Sequence, residues 1–138
     1  DFNPASEPVT LAQDVSFVQL ADENAAWPLQ TNGQLETFDA IVVTNYLHRP
    51  LMPTLLASLA AGGVLIYETF AVGIETVGKP SRPDFLLKRG ELLALCQDLQ
   101  TVAFEDGFLT SPDRFVQRIV ATKMHGSLDI QSPPRFHL

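Results

Sequence analysis

The sequence predicts an α/β domain whose sheet is mostly parallel and is finished by a C-terminal antiparallel hairpin. Three observations predict it. Residues 40–44 and 64–67 are apolar, β-branched runs. The first is apolar on both faces, the pattern of a fully buried strand in a sheet covered by helices. Between the runs lies a leucine-rich stretch with helical spacing. Beyond them, strand patterns at 101–108 and 115–124 are separated by Ser111-Pro112-Asp113, a break short enough to favour antiparallel pairing.

Each element follows from local chemistry. Residues 1–14 carry two prolines and several small polar residues and read as a loop, with a short helical turn near 9–13. Residues 15–21 (VSFVQLA) alternate apolar with smaller or polar side chains, so a strand is expected there. Trp27-Pro28-Leu29 and residues 30–37 read as a loop. Pro50 opens the central helix, where its missing N–H is an orphan in any case. Leu51, Leu55, Leu56 and Leu59 then share one face. Gly62-Gly63 is expected to end this helix, because glycine accepts the left-handed turn at a C-terminus. Strand, helix and strand with short links form a right-handed crossover. Ligands of such sheets bind beyond the carboxyl ends of the strands. Here those ends carry Thr44-Asn45-Tyr46-Leu47-His48 and Glu68-Thr69-Phe70.

The connection over residues 71–89 holds Gly73, Gly78, Pro80 and Pro83. Its length is that of a lid or binding loop. Residues 90–99 predict a short helix with Leu92, Leu93, Leu95 and Cys96 turned inward. The strand at 101–108 contains a Glu-Asp-Gly turn signal, and 115–124 is a long strand. Residues 1–124 thus read as one domain. Residues 125–138, with Pro133-Pro134 and no periodicity, read as a tail.

Composition excludes several functions. With 46% hydrophobic and 18% charged residues over 138 positions, the chain can build a core and is neither disordered nor a coiled coil. A formal net charge of −7 argues against nucleic acid and against an anionic membrane as partner. No apolar run approaches the roughly 20 residues that span a bilayer, and no signal peptide is evident. A single cysteine, Cys96, forms no internal disulfide, so a reducing cytoplasm is the simplest setting. His48, His125 and His137 lie far apart, which gives no metal-ligand spacing. No GxSxG turn is present for a serine hydrolase. Gly73 to Lys79 has the glycine spacing of a phosphate loop, but Pro80 stands where Ser or Thr should hold magnesium. Glu75 would also repel phosphate, so nucleotide binding by this loop is the weakest reading.

FDAIVV, the polar-aromatic crest, the leucine-rich helix and GGVLIYETF together resemble the second half of a class I S-adenosylmethionine (SAM) dependent methyltransferase. The small tellurite-resistance-type and uncharacterised bacterial members are the most similar. The resemblance covers about residues 1–124 and is strongest over 38–93. It implies a partial Rossmann-like methyltransferase sheet, SAM as cofactor and methyl transfer to a small-molecule acceptor. It also implies roles for single residues. Asp22 in LADEN matches the acidic residue beside the adenine, and Asp1 in DFNPA the one that holds the ribose hydroxyls. Asn45 and Tyr46 fall where the family faces the cofactor's methyl group. His48 is a candidate general base, and Glu68, near the acceptor pocket, is a second. Lys79 and Arg82 lie in GxExxGxPxxPDFLL, a recurring connection there, and are candidates for meeting an anionic substrate. Plainer roles compete with each: solvated strand-end acids, a surface histidine, a packing tyrosine and loop charges.

The family's glycine-rich turn after its first strand, where backbone approaches the amino-acid end of SAM, does not occur in this sequence. In the family's strand order, 3-2-1-4-5-7-6, the first two strands would separate the 15–21 strand from the 40–44 strand. The chain opens on Asp1 rather than methionine and need not begin where its gene begins. Three arrangements are therefore expected to compete. The chain is part of a longer enzyme, or a second copy covers the open edge of the 40–44 strand as a homodimer, or the 15–21 strand pairs there directly. The rival function is a non-enzymatic remnant module that self-associates through that edge.

Overall fold

The two apolar runs become neighbouring parallel strands. A computed structural model describes residues 29–125 together with Arg135, His137 and Leu138. In chain order the elements are β1 (Gln30–Thr31), β2 (Gln34–Leu35), β3 (Phe38–Thr44), α1 (Met52–Ala57), β4 (Leu59–Phe70), α2 (Glu91–Leu95), β5 (Gln100–Leu109) and β6 (Arg114–Thr122). Single 3-10 turns lie at Arg49–Leu51, Ile74–Thr76 and Pro83–Phe85. The expected helical turn at 9–13, the strand at 15–21, Trp27-Pro28 and most of the tail lie outside the described residues, as do Asp1 and Asp22.

The main sheet has the order β3-β4-β6-β5. β3 runs parallel to β4, with Ala40 opposite Val64 and Thr44 opposite Glu68. β6 is antiparallel to both of its neighbours. Strands β3, β4 and β5 therefore point one way and β6 the other, which agrees with the 4-5-7-6 half of the strand order that the resemblance implies. The expected mostly parallel sheet is mixed for a simple reason. The hairpin returns β6 into the slot between β4 and β5 rather than adding it outside, so β3–β4 is the parallel neighbour pair among the described strands.

Several local expectations give way to tertiary structure. Gly62-Gly63 does not cap α1, which ends at Ala57, with the Ser58 hydroxyl donating to the Thr54 carbonyl at 2.8 Å. The glycine pair lies inside β4, where the Gly62 N–H donates to the Lys123 carbonyl at 2.7 Å. Residues 30–37 are not a plain loop. Asn32 and Gly33, both left-handed (φ 53 and 74), join β1 to β2 as a tight hairpin. Glu105-Asp106-Gly107 is not a turn, because all three residues stay in register opposite Arg118, Gln117 and Val116. In α2, Leu92 and Cys96 are buried and Leu95 packs against the core, but Leu93 is exposed. Spacing of three and four residues selects one helix face, and Leu93 falls off it.

The core lies on one face of the sheet. Leu65 and Tyr67 of β4 and Ile119 and Ala121 of β6 pack with Met52 and Leu55 of α1 and with Leu92 of α2. The other face is open among the described residues: Val42 is 63% exposed and Ile66 42%. The expectation of a fully buried strand over 40–44 therefore fails, since none of the seven residues of β3 is buried. Helices cover one face of it, and among the described residues β3 stands at the sheet edge. No helix among the described residues is long and apolar enough to cross a membrane.

Candidate functional site at the carboxyl ends of β3 and β4

The parallel register brings the ends of both strands to one rim. The Asn45 N–H donates to the Glu68 carbonyl at 2.9 Å, one step past the Thr44–Glu68 pair. Asn45 is left-handed (φ 53), a conformation that asparagine tolerates better than most residues, and the chain turns off the strand there. The Tyr46 carbonyl accepts from the Tyr67 hydroxyl at 2.5 Å. Burial pushes the Tyr67 pKa up to about 12, so this phenol remains a donor at neutral pH. Leu47 inserts into the core. His48 then precedes the Arg49–Leu51 turn, its carbonyl accepting from the Leu51 N–H at 3.0 Å.

The long connection folds back over this crest. After β4 the Val72 N–H donates to Leu87, and the Leu87 N–H donates to Phe70, both at 2.9 Å. Arg49 then clamps the returning segment. Its Nε lies 2.7 Å from Glu91 Oε2 and one Nη lies 2.9 Å from Oε1, a bidentate pair. The same guanidinium donates to the carbonyls of Leu86 at 2.8 Å and Asp84 at 3.1 Å. Hydrogen bonding to Arg49 holds the Glu91 carboxyl below its usual range, and the same bond raises Arg49. Buried Gln117 of β6 adds a second tie. Its side chain accepts from the Leu92 N–H at 3.1 Å and donates to the Lys88 carbonyl. The phosphate-loop spacing at Gly73 is accounted for locally, since the Gly73 N–H is taken by the carboxylate of Glu75 at 2.7 Å.

Two cavities lie along the crest. One, of about 250 Å³, is lined by Asn45, Tyr46 and Leu47 after β3, Thr69 and Phe70 of β4, and Pro80 and Phe85 of the connection. The other, of about 370 Å³, is lined by Leu47, His48, Arg49, Pro50, Asp84 and Phe85. Leu47 and Phe85 border both, so these two side chains divide the crest.

The residues singled out in the sequence separate into three groups. Asn45, Tyr46 and His48 come together at the crest. Glu68 reaches the rim through its backbone only. Its carboxylate lies 3.5 Å from Arg118, which also pairs with Glu105 at 3.0 Å, and all three line a further cavity with Ile66 and Val120 of the open face. Lys79 and Arg82 line neither crest cavity. Arg82 is engaged at the surface, 3.5 Å from Asp84 and with its guanidinium 5.5 Å from the centre of the Phe85 ring. Among the described residues no group of three or more His, Cys, Asp or Glu is placed to hold a metal ion. Glu91 and Gln117 escaped sequence reasoning, and Arg49 and Thr69 stood in the crest without a role of their own. Arg49 and Glu91 are 42 positions apart, and only the folded connection brings them together.

No protein-family model and no curated protein matches the sequence. Among solved structures, TehB from Haemophilus influenzae is similar over 64% of this chain and 36% of its own length, with a TM-score of 0.51 and 19% identity. A structure described as a SAM-dependent methyltransferase from Methanosarcina mazei aligns with 64% of this chain and 60% of its own, at TM-score 0.49 and 15% identity. The chain thus spans about a third of the length of TehB. At such identity the likeness to TehB is one of architecture, and it agrees with the strand order and the crossover described above: the chain shares an α/β fold with that structure.

Proposed function

We propose that this chain supplies the acceptor side of a SAM-dependent methyltransferase acting on a small molecule. One observation carries the reading. Two cavities open at the carboxyl ends of a parallel strand pair, under a connection that folds back across them. That is where open α/β sheets bind their ligands.

Bound SAM would supply an electrophilic methyl group on a sulfonium. The residues present fit one side of such a molecule. Asn45 and Tyr46 border the cofactor, the ring of Tyr46 favouring positive charge. The first cavity would hold the acceptor in line with the methyl group, and alignment of this kind supplies most of the catalysis. His48 lines the neighbouring second cavity, so its imidazole would take the acceptor's proton through one intervening water rather than by direct contact. We give Glu68 a structural role instead, because its carboxylate faces Arg118 on the open side of the sheet. Asp22 and Asp1 remain the candidates for the adenine and the ribose. The amino-acid end of SAM calls for the glycine-rich turn that this sequence lacks, so we assign that end no contact here.

Calorimetric titration with SAM tests the reading, using both the 138-residue chain and the longest version its gene encodes. The reading expects binding by the longest version and weaker or no binding by the 138-residue chain. Binding by neither would sink it. The second reading, self-association, is favoured by exposed Val42 and Ile66 and by the β3 edge. A stable dimer on a sizing column, with no shift in Tm on adding SAM, would support that reading instead.

A further inference from the structure

We propose that the first crest cavity, bordered by Phe85, selects a small, planar, uncharged ring carrying one hydrogen-bonding heteroatom. The proposal rests on the methyltransferase reading, in which that ring is the methyl acceptor. Size comes first. The cavity holds about 250 Å³. Drug-sized ligands take about 300–1,000 Å³, whereas a protein cavity of about 150 Å³ accepts benzene. There is room for one substituted ring.

Shape and charge narrow the class. Tyr46, Phe70 and Phe85 are aromatic residues of the lining, and Leu47 and Pro80 are apolar ones. Aromatic walls favour a flat guest through offset or edge contacts. None of the lining residues carries a charge. Lys79 and Arg82, expected from the sequence to meet an anion, stand outside it, and Arg82 is occupied by Asp84 and Phe85. An anion entering here would lose hydration without gaining a counter-charge. The polar side chains of the lining are Asn45 and Thr69. Thr69 is 2% exposed and Asn45 is exposed, so Thr69 carries the more enclosed of the two polar groups, where one hydrogen bond discriminates more strongly.

Phenol, benzene and benzoate are suitable probes, titrated into the 138-residue chain without SAM and followed by NMR line shifts. The expected order is phenol tightest, with benzoate at least about tenfold weaker. Thr69→Val keeps the β-branched shape that a strand prefers and should weaken phenol about tenfold while leaving benzene unchanged. Thr69→Ser, which restores the hydroxyl, should recover phenol binding. The proposal is overturned by tighter binding of benzoate, by equal phenol affinity in wild type and Thr69→Val, or by no phenol binding to chain whose circular dichroism shows it folded. The two readings fail separately. Phenol bound in the absence of any SAM binding would leave the cavity's preference standing and remove methyl transfer.

Discussion

Gly73→Ala is expected to lower stability by about 3 kcal/mol or more, read as a shift of the urea midpoint at constant slope. Two costs combine. Gly73 has φ +117, a conformation that strains any L side chain by roughly 1–3 kcal/mol. A Cβ there would stand 2.7 Å from Cγ and 2.8 Å from Cδ1 of Phe115. That ring cannot easily withdraw, because it also packs on Phe108 with centroids 5.0 Å apart. Overpacking of this kind costs about 1–3 kcal/mol more. Gly78→Ala, on the same connection, is the control. A Cβ at Gly78 meets nothing within 4 Å, and the change should be close to neutral. A neutral Gly73→Ala would mean that the connection does not lie against β6 as described.

Arg49→Ala should cost about 2–3 kcal/mol and free the segment around Phe85. Glu91, whose side chain is 14% exposed, would lose its counter-charge, and the carbonyls of Asp84 and Leu86 would lose a donor. Breaking a buried ion pair by removing one partner costs about 3–5 kcal/mol. Here the figure is lower because the Arg49 side chain is 34% exposed. The pH dependence has a definite sign. The hydrogen bond to Arg49 depresses the Glu91 pKa in the folded chain. The pair therefore stabilises fully above the unfolded carboxylate value of about 4.3, and that contribution is lost as pH falls through the lower folded value. Wild type should gain stability over this acid range, and Arg49→Ala should lose that gain. Hydrogen exchange at Phe85 and Leu86 should quicken in the variant. Arg49→Lys should restore little, because an ammonium cannot bridge Glu91 and two carbonyls at once.

What the sequence made legible was decided at short range. The β-branched runs before Asn45 and before Glu68 announce the parallel pair. Pro50 announces the helix between them, and the short break at Ser111-Pro112-Asp113 announces the hairpin. Asn32-Gly33 is an equally local hairpin signal, but flanking strands only two residues long give it no alternating pattern to stand between. What sequence reasoning missed depends on register and on partners far along the chain. Gly62-Gly63 has the chemistry of a helix cap, but pairing with Lys123 draws it into β4. Residues 40–44 read as buried on both faces, yet only one face meets helices among the described residues. At the site, the crest was found from topology alone. The charges of the connection misled, because which residues line a cavity follows from how the connection lands. Its landing is set by Arg49, Glu91 and Gln117, none of which stands out by spacing.

The most direct test is to map amide shifts along the longest version of the chain as SAM is added. Binding at the rim of β3 and β4 should move the amides of Asn45 to His48, of Thr69 and Phe70, and of Phe85 and Leu86, leaving the far side of the sheet still. Shifts centred instead on Ile66, Arg118 and Val120 would put the ligand on the open face and contradict the account.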